Sequence, residues 1–367
     1  MNRHPELSRR TVLGGLGLAA ATGVAIRPAQ AKDLVVGFIY VGPKDDYGYN
    51  QAHAEAAAML KKMPGVKIVE EEKVPETDDV SKTMESMIKL DGATLLFPTS
   101  FGYFDPYMLK MAAKYPNIQF RHCGGLWQKD KHPMNTGSYF GYIGMGQYLN
   151  GIAAAHATKS KKLGFIAAKP IPQVLINVNS FALGARSVDP TITTTVIFTG
   201  EWNDPVKERA AASALADQGI DVIGQHVDTP TPQIVAQERG IYGTGHHRDL
   251  REFAPKATLC SSVWTWDKFL SPELKKIEAG NWQPNPYGAF PGIKDGGTDI
   301  ACCSAVVPKD VVAKVMAERQ AIINGKQIYT GPMTDTSGKE EIADGKSLDD
   351  GGLWKMDWYI PGVIAQK

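Results

Sequence analysis

The feature that most constrains this chain is a repeated switch of hydrophobic period. Short β-branched and aromatic runs alternate with longer stretches whose apolar residues recur every three or four positions. Leu34–Tyr40 reads as a buried strand and Gln51–Lys62 as a helix, with Ala52, Ala56, Met59 and Leu60 at helical spacing. Val80, Met84, Met87 and Ile88 mark a second helix, and Ala93–Phe97 the next strand. Asp105-Pro106 supplies a cap and a first turn for a helix reaching Tyr115, before a strand at Ile118–His122. After Gln147 the order resumes with a helix to Thr158, strand Leu163–Ala167, helix Val174–Arg186 and strand Thr194–Phe198. Helix Pro205–Asp217, strand Val222–Gln225, helix Pro232–Arg239 and a short strand Gly240–Gly243 follow, and a further strand brings Trp264 and Trp266. This βαβα order predicts an α/β fold with mainly parallel sheets and helices on both faces.

A chain of 367 residues holds about two domains of roughly 100–200 residues each. Residues 33–142 and 143–261 each amount to a complete doubly wound unit. Helices at Asp267–Glu278 and Lys309–Asn324 read as additions to them. The expected lobes are therefore residues 32–142 with about 262–293, and residues 143–261 with about 294–367. Two such lobes joined by several crossings form a cleft, and ligands of open α/β sheets sit at the carboxyl ends of the strands.

Residues 1–31 read as an export signal. Ser8-Arg9-Arg10-Thr11-Val12-Leu13 is a twin-arginine pattern, a Gly/Ala-rich stretch runs to Ile26, and Ala29-Gln30-Ala31 is a small-x-small cleavage box. A mature chain would begin near Lys32 in a bacterial periplasm, and no Cys follows the box to carry a lipid. Removing residues 1–31 takes away Arg3, Arg9, Arg10, Arg27 and Glu6, and leaves 36 basic against 38 acidic residues, a net charge of −2. That balance argues against a nucleic-acid partner and points to a small ligand of little charge. No apolar run reaches the roughly 18 residues of a membrane-spanning helix. The four cysteines, Cys123, Cys260, Cys302 and Cys303, allow three pairings; the neighbours Cys302 and Cys303 rarely bond each other, and the four read equally as buried free thiols or as disulfides.

The strand-end loops carry the candidate chemistry. Asp45, Asp46, Tyr47, Tyr49 and Asn50 follow the first strand; Ser100, Phe101 and Tyr103 follow the third. The second block contributes Asn177, Asn179 and Phe181, then Trp202, Asn203 and Asp204, then His226 and Asp228, then His246 and His247, and finally Trp264. Rings at such density, interleaved with Asn, Asp and His, suit a flat heteroaromatic ligand: rings stack on its faces at about 1–3 kcal/mol per base. Amides and carboxylates read its edge. Taken singly, each Tyr or Phe reads more simply as core, Asp46 as a solvated loop carboxylate, Asp204 before Pro205 as a helix cap, and His246 and His247 equally as surface residues.

Catalytic motifs find little support. There is no G-x-S-x-G, no H-E-x-x-H, no P-loop and no C-x-x-C, and Arg248 stands where a G-x-G-x-x-G starting at Gly243 needs its last glycine. His226, His246 and His247 lack regular metal-ligand spacing. A nucleoside hydrolase using Asp45, Asp46 and His247 stands as the enzymatic alternative.

The loop Asp45-Asp46-Tyr47-Gly48-Tyr49-Asn50-Gln51 resembles the Asp-Asp-x-x-Phe-Asn-Gln loop of the basic membrane protein family of ABC-transporter substrate-binding proteins, the purine-nucleoside-receptor type. Ala113-Lys114-Tyr115-Pro116, Tyr148-Leu149-Asn150-Gly151, Trp202-Asn203-Asp204-Pro205 and Gln218–Ile223 fit in the same order. The resemblance implies two Rossmann-like lobes of the type I periplasmic binding class, closing by a hinge on one ligand, without catalysis, cofactor or metal. It implies an ABC permease as partner and a monomeric receptor. It places Tyr49 and Asn50, with Asp46 nearby, at a purine, and Phe181 over its other face. The family's ribose-binding Asp is replaced by Gly245 or His247, and the Lys of a Ser-Val-Val-Lys segment by Trp264 in Ser261-Ser262-Val263-Trp264. Those departures favour a free base such as adenine, guanine or hypoxanthine over a nucleoside. The expected contacts are Asp46, Tyr47, Tyr49, Asn50, Ser100, Phe101, Phe181, Trp202, Asp228, His247 and Trp264. A nucleoside, a sugar or another small ligand in the same fold is the alternative, and a sensor subunit would carry the same site.

Overall fold

Strand β1 (Leu34–Ile39) sends Val36 and Phe38 to one face of its sheet and Val35 and Ile39 to the other, as the period of two requires. The computed structural model describes residues 33–284 and 290–366, so the export signal read over residues 1–31 lies outside the described residues. Helix α1 (Tyr49–Leu60) lays Ala52, Ala56, Ala57 and Leu60 on the first face, against Val36, Phe38, Leu95 and Phe97. Helix α2 (Asp79–Lys89) covers the second face with Val80, Met84 and Met87. Each fully buried Phe or Leu in these layers contributes about 1.5–3 kcal/mol. The sheet adds β2 (Val66–Glu71), β3 (Leu95–Pro98), β4 (Gln119–Cys123) and β5 (Thr136–Tyr139), with α3 (Leu109–Lys114) ahead of β4. Its order is β2-β1-β3-β4-β5, and every neighbouring pair is parallel.

The second sheet is built from β6 (Lys162–Ala167), β7 (Thr193–Phe198), β8 (Val222–Gln225), β9 (Tyr242–Gly245) and β10 (Thr258–Trp264). Helices α4 (Gly144–Ala157), α5 (Pro172–Val188), α6 (Pro205–Asp217) and α7 (Thr231–Glu238) flank it. After β10 come α8 (Trp266–Glu278), β11 (Thr298–Ala301), α9 (Lys309–Ile323), a small hairpin of β12 (Met333–Thr334) and β13 (Glu340–Ile342), α10 (Asp350–Leu353) and β14 (Val363–Ala365). The order is β11-β10-β9-β8-β6-β7-β14, parallel except for β11 against β10. The result is the α/β architecture of two parallel sheets expected from the alternation. The chain passes between the sheets after β5, after β10 and again before β11. On the second passage α8 packs beside α1, and Trp264, Trp266, Leu270 and Leu274 join the core of the first sheet. Among the described residues, no helix is long and apolar enough to cross a membrane.

Some elements differ from the sequence expectation. β2 was not anticipated: it is an edge strand whose residues are all exposed or half-buried, so its sequence VKIVEE lacks a core-strand signature. β5, TGSY, is fully buried yet carries no aliphatic core residue, only Tyr139 reaching the core. Asp105 is extended (φ −123°, ψ 126°), so regular α-helix begins only at Leu109. Cys302 and Cys303, expected not to bond each other, form a vicinal disulfide, while Cys123 and Cys260 are free and buried.

Helices α4 and α5 cross in near contact through two glycines. A Cβ on Gly151 would lie 2.0 Å from the carbonyl oxygen of Phe181, and one on Gly184 would lie 1.9 Å from that of Tyr148. The opposing atoms are backbone and cannot step aside. Gly184→Ala is therefore expected to destabilise the fold by about 1–3 kcal/mol through overpacking, read as a lowered midpoint of thermal or urea unfolding. An unchanged midpoint would show that the helices are not in this contact.

Candidate ligand-binding site

The carboxyl ends of β1 and β3 in the first sheet, and of β7 to β10 in the second, face one cavity of about 140 Å³. That volume is close to the ~150 Å³ cavity that admits a benzene ring, and below the ~300 Å³ at which pockets for drug-sized ligands begin. Its walls include Tyr49, Asn50, Ser100 and Phe101 from the first lobe, and Trp202, Asp228, His247 and Trp264 from the second. Eight of the expected contact residues therefore meet at one place.

Three do not line it. Asp46 is buried, and both of its carboxylate oxygens are spent on the start of α1. Oδ1 accepts from the backbone N–H of Gly48 (2.9 Å) and Gln51 (3.0 Å), and Oδ2 accepts from the backbone N–H (3.1 Å) and side-chain amide (2.8 Å) of Asn50. It closes the helix N-terminus, where orphan N–H groups and the dipole favour a carboxylate, and it aims Asn50. Tyr47, in the left-handed region at φ 62°, turns outward to meet Phe253 edge-on at 5.0 Å between ring centroids. Phe181 has no exposed surface: it lies in the core beneath the second sheet, 5.2 Å from Phe165 and against Gly224. The side of α5 that carries Phe181 faces its own sheet, so the helix cannot present that ring to the cleft.

Within the cavity, a chain of hydrogen bonds fixes the second lobe's polar groups. The Trp264 indole N–H donates to Nδ1 of His247 (2.7 Å), and Nε2 of His247 lies 2.8 Å from Oδ1 of Asp228. Because Nδ1 accepts, the imidazole carries its proton on Nε2 and donates it to Asp228. Burial pushes the Asp228 carboxyl upward, and the hydrogen bond from His247 opposes that shift. His226 stands beside them on the wall, held well below its ordinary range by burial, so it is uncharged at neutral pH. Its Nε2 pairs with the Gln173 side-chain amide at 3.1 Å. His246 lies behind, with Nδ1 engaged by Gln147 and Ser262. Among the described residues, no group of three or more His, Cys, Asp or Glu is arranged to hold a metal ion. Nor do Asp45, Asp46 and His247 assemble as a catalytic set: Asp45 is exposed, and the oxygens of Asp46 and ring nitrogens of His247 are already engaged.

In the first lobe, the Tyr49 hydroxyl donates to the Thr99 carbonyl at 2.5 Å, which anchors the ring across the cavity floor. The Ser100 hydroxyl donates to Oε1 of Glu76 at 2.5 Å, and the Gly102 N–H donates to the same oxygen at 2.7 Å. Glu76, Gln173, Phe140 and Trp354 complete much of the wall without a signal in the sequence, and His226, a strand-end candidate outside the expected contacts, lines it too. Glu76 follows β2, and the strand-end rule would have reached its loop had that strand been recognised. His226 was visible at a strand end. Trp354 comes from the C-terminal tail, and no local pattern signals that the tail returns to the cleft.

The lobes also touch outside the cavity. A Cβ on Gly48 would lie 2.5 Å from the carbonyl oxygen of Asp228, so the first lobe's loop rests on the second lobe's backbone. Arg248 reaches Glu55 of α1 at 2.9 Å.

This is the architecture and cleft geometry of a two-lobed solute-binding protein. Residues 33–330 match the family described as ABC transporter substrate-binding protein, PnrA-like (Bmp), and the chain belongs to that family. It is 35% identical over 334 residues to a purine-binding protein of Brucella abortus, covering 90% of this chain and 93% of that one. It is 30% identical to a Haloferax volcanii protein whose name assigns it glucose binding in an ABC transporter, over 81% of this chain and 74% of that one. Among solved structures, an ABC transporter solute-binding protein of Conexibacter woesei superposes with a TM-score of 0.64 at 21% identity, covering 80% of this chain and 97% of that one.

The two placements of aromatic rings predict opposite phenotypes. Phe181→Ala removes a core ring and is expected to cost about 3–5 kcal/mol of stability, whereas Trp202→Ala, at a position 36% exposed, should leave the unfolding midpoint nearly unchanged. Chemical denaturation of both variants checks this, and a stable Phe181→Ala protein would contradict the core placement.

Proposed function

We propose that this protein is the extracytoplasmic receptor of an ABC importer and that it binds a purine nucleobase in the interlobe cavity. The observation that carries the reading is the match between a cavity of about 140 Å³ and its walls, which combine rings from both lobes with edge-reading groups at Asp228 and Asn50. Tyr49 and Phe101 from one lobe, and Trp202 and Trp264 from the other, offer stacking surfaces; Asp228 accepts from a base N–H. The Brucella abortus relative, named for purine binding, supports the same ligand class.

The base is favoured over the nucleoside because the positions expected to hold ribose are self-satisfied. Trp264 spends its N–H on His247, and His247 spends its other nitrogen on Asp228. Neither side chain has a free group for a sugar hydroxyl, and the indole occupies space. Loading from an open form, closure of the lobes on the base and docking of the closed form on a permease make up the working cycle, with export signalled by residues 1–31.

A thermal-shift screen of the purified protein against purine bases, nucleosides, pyrimidines and glucose tests this. A ligand at a hundred times its Kd adds about 2.7 kcal/mol, so a clear rise is expected with a free purine base and none with its nucleoside. A rise with nucleosides alone would mean that Trp264 and His247 leave room for ribose; a rise with glucose alone would move the protein to the specificity named for the Haloferax relative. Tyr49→Ala is expected to weaken base binding more than about tenfold, given about 1–3 kcal/mol per stacked base; an unchanged affinity would remove Tyr49 from the site.

A further inference from the structure

The cavity wall is unbalanced in charge. Among the described residues it carries two carboxylates, Asp228 and Glu76, and no lysine or arginine. Lys169, beside the site, sits 5.3 Å above the Trp202 ring rather than on the wall. The wall's two histidines do not offer the occupant a cation: His247 is engaged at both ring nitrogens, by Trp264 and Asp228, and His226 is buried and uncharged. Each carboxylate uses one oxygen within the protein. Asp228 Oδ1 receives His247, and Glu76 Oε1 receives Ser100 and Gly102. Among the described residues, Asp228 Oδ2 and Glu76 Oε2 have no hydrogen-bond partner.

Both unmet groups are anionic acceptors, at the second-lobe wall and on the first-lobe side. An occupant that brings N–H donors completes them. An occupant that brings a negative charge sets a third anion against Asp228, which is buried, and Glu76, with no cation on the wall among the described residues to offset it, and like charges at close range repel. We infer that this cavity selects its ligand by charge, admitting uncharged bases rich in N–H donors, amino-substituted purines foremost, and rejecting anionic purines and phosphorylated nucleotides, with Asp228 and Glu76 as the residues that set the selection. This rests on the purine-base reading above and specifies it.

The test is calorimetric titration of the purified protein with adenine, 2,6-diaminopurine and urate, which is an anion at neutral pH. Adenine and diaminopurine are expected to bind at least about 100-fold more tightly than urate, within the range that unmet polar groups in a binding site can enforce. Asp228→Asn keeps the shape and the acceptor for His247 but turns the free oxygen into an amide donor. It is expected to weaken adenine about tenfold or more and to shrink the adenine-to-urate ratio by at least tenfold. Glu76→Gln, at an exposed position that does not threaten folding, should shift the ratio the same way by a smaller factor. Urate binding within threefold of adenine, or a ratio unmoved in folded Asp228→Asn and Glu76→Gln proteins, would overturn the charge selection while leaving purine binding intact. Failure of every purine to bind would overturn the purine reading together with it.

Discussion

Trp264 ties the molecule together. Its backbone ends β10 of the second sheet, while its ring stacks on Trp266 at 4.5 Å between centroids and belongs to the core of the first lobe. The same indole donates its N–H to His247. One side chain thus links the crossover between lobes, the packing of the first lobe and the tautomer of a cleft imidazole. Because Nδ1 of His247 must accept, Nε2 must donate, and Asp228 is left with one oxygen committed and one open. The polarity of the cavity follows from that sequence of constraints.

The opposite wall is organised by a different economy of polar groups. Asp46 satisfies four donors at the start of α1 and so fixes Asn50 in direction, while Gly48 lets the loop settle on the backbone of Asp228. A side chain at position 48 would hold the lobes apart at the point where they need to meet. Tyr47 and Arg248 then make contacts to the other lobe at the rim, where exposed pairs contribute only tenths of a kcal/mol to about one.

Much of this could be read from the chain before any coordinates. The period switches located most helices and central strands, because buried parallel strands are β-branched runs and the helices carry a clear apolar face. The strand-end rule picked out Tyr49, Asn50, Ser100, Phe101, Trp202, Asp228, His247 and Trp264, which the structure places around one cavity. It failed where the deciding fact was orientation or long-range return. Phe181 sits on a helix, and sequence does not say which side of that helix meets the sheet. Asp46 looked like a ligand contact because caps and ligand carboxylates share the same loop and residue type. Glu76 was missed with its polar edge strand, and Trp354 because nothing near it in sequence reports the path of the tail.

The central claim is that the rings around this cavity enclose a purine base. Three tryptophans, Trp202, Trp264 and Trp354, line it, so a fluorescence titration with adenine reads the site directly. The account predicts a saturable change in tryptophan emission at one equivalent of base, reduced when Trp202 and Trp354 are both replaced by phenylalanine while the base still binds. Adenine that binds without altering the emission of the unsubstituted protein, or that leaves it unbound at millimolar concentration, would contradict the account.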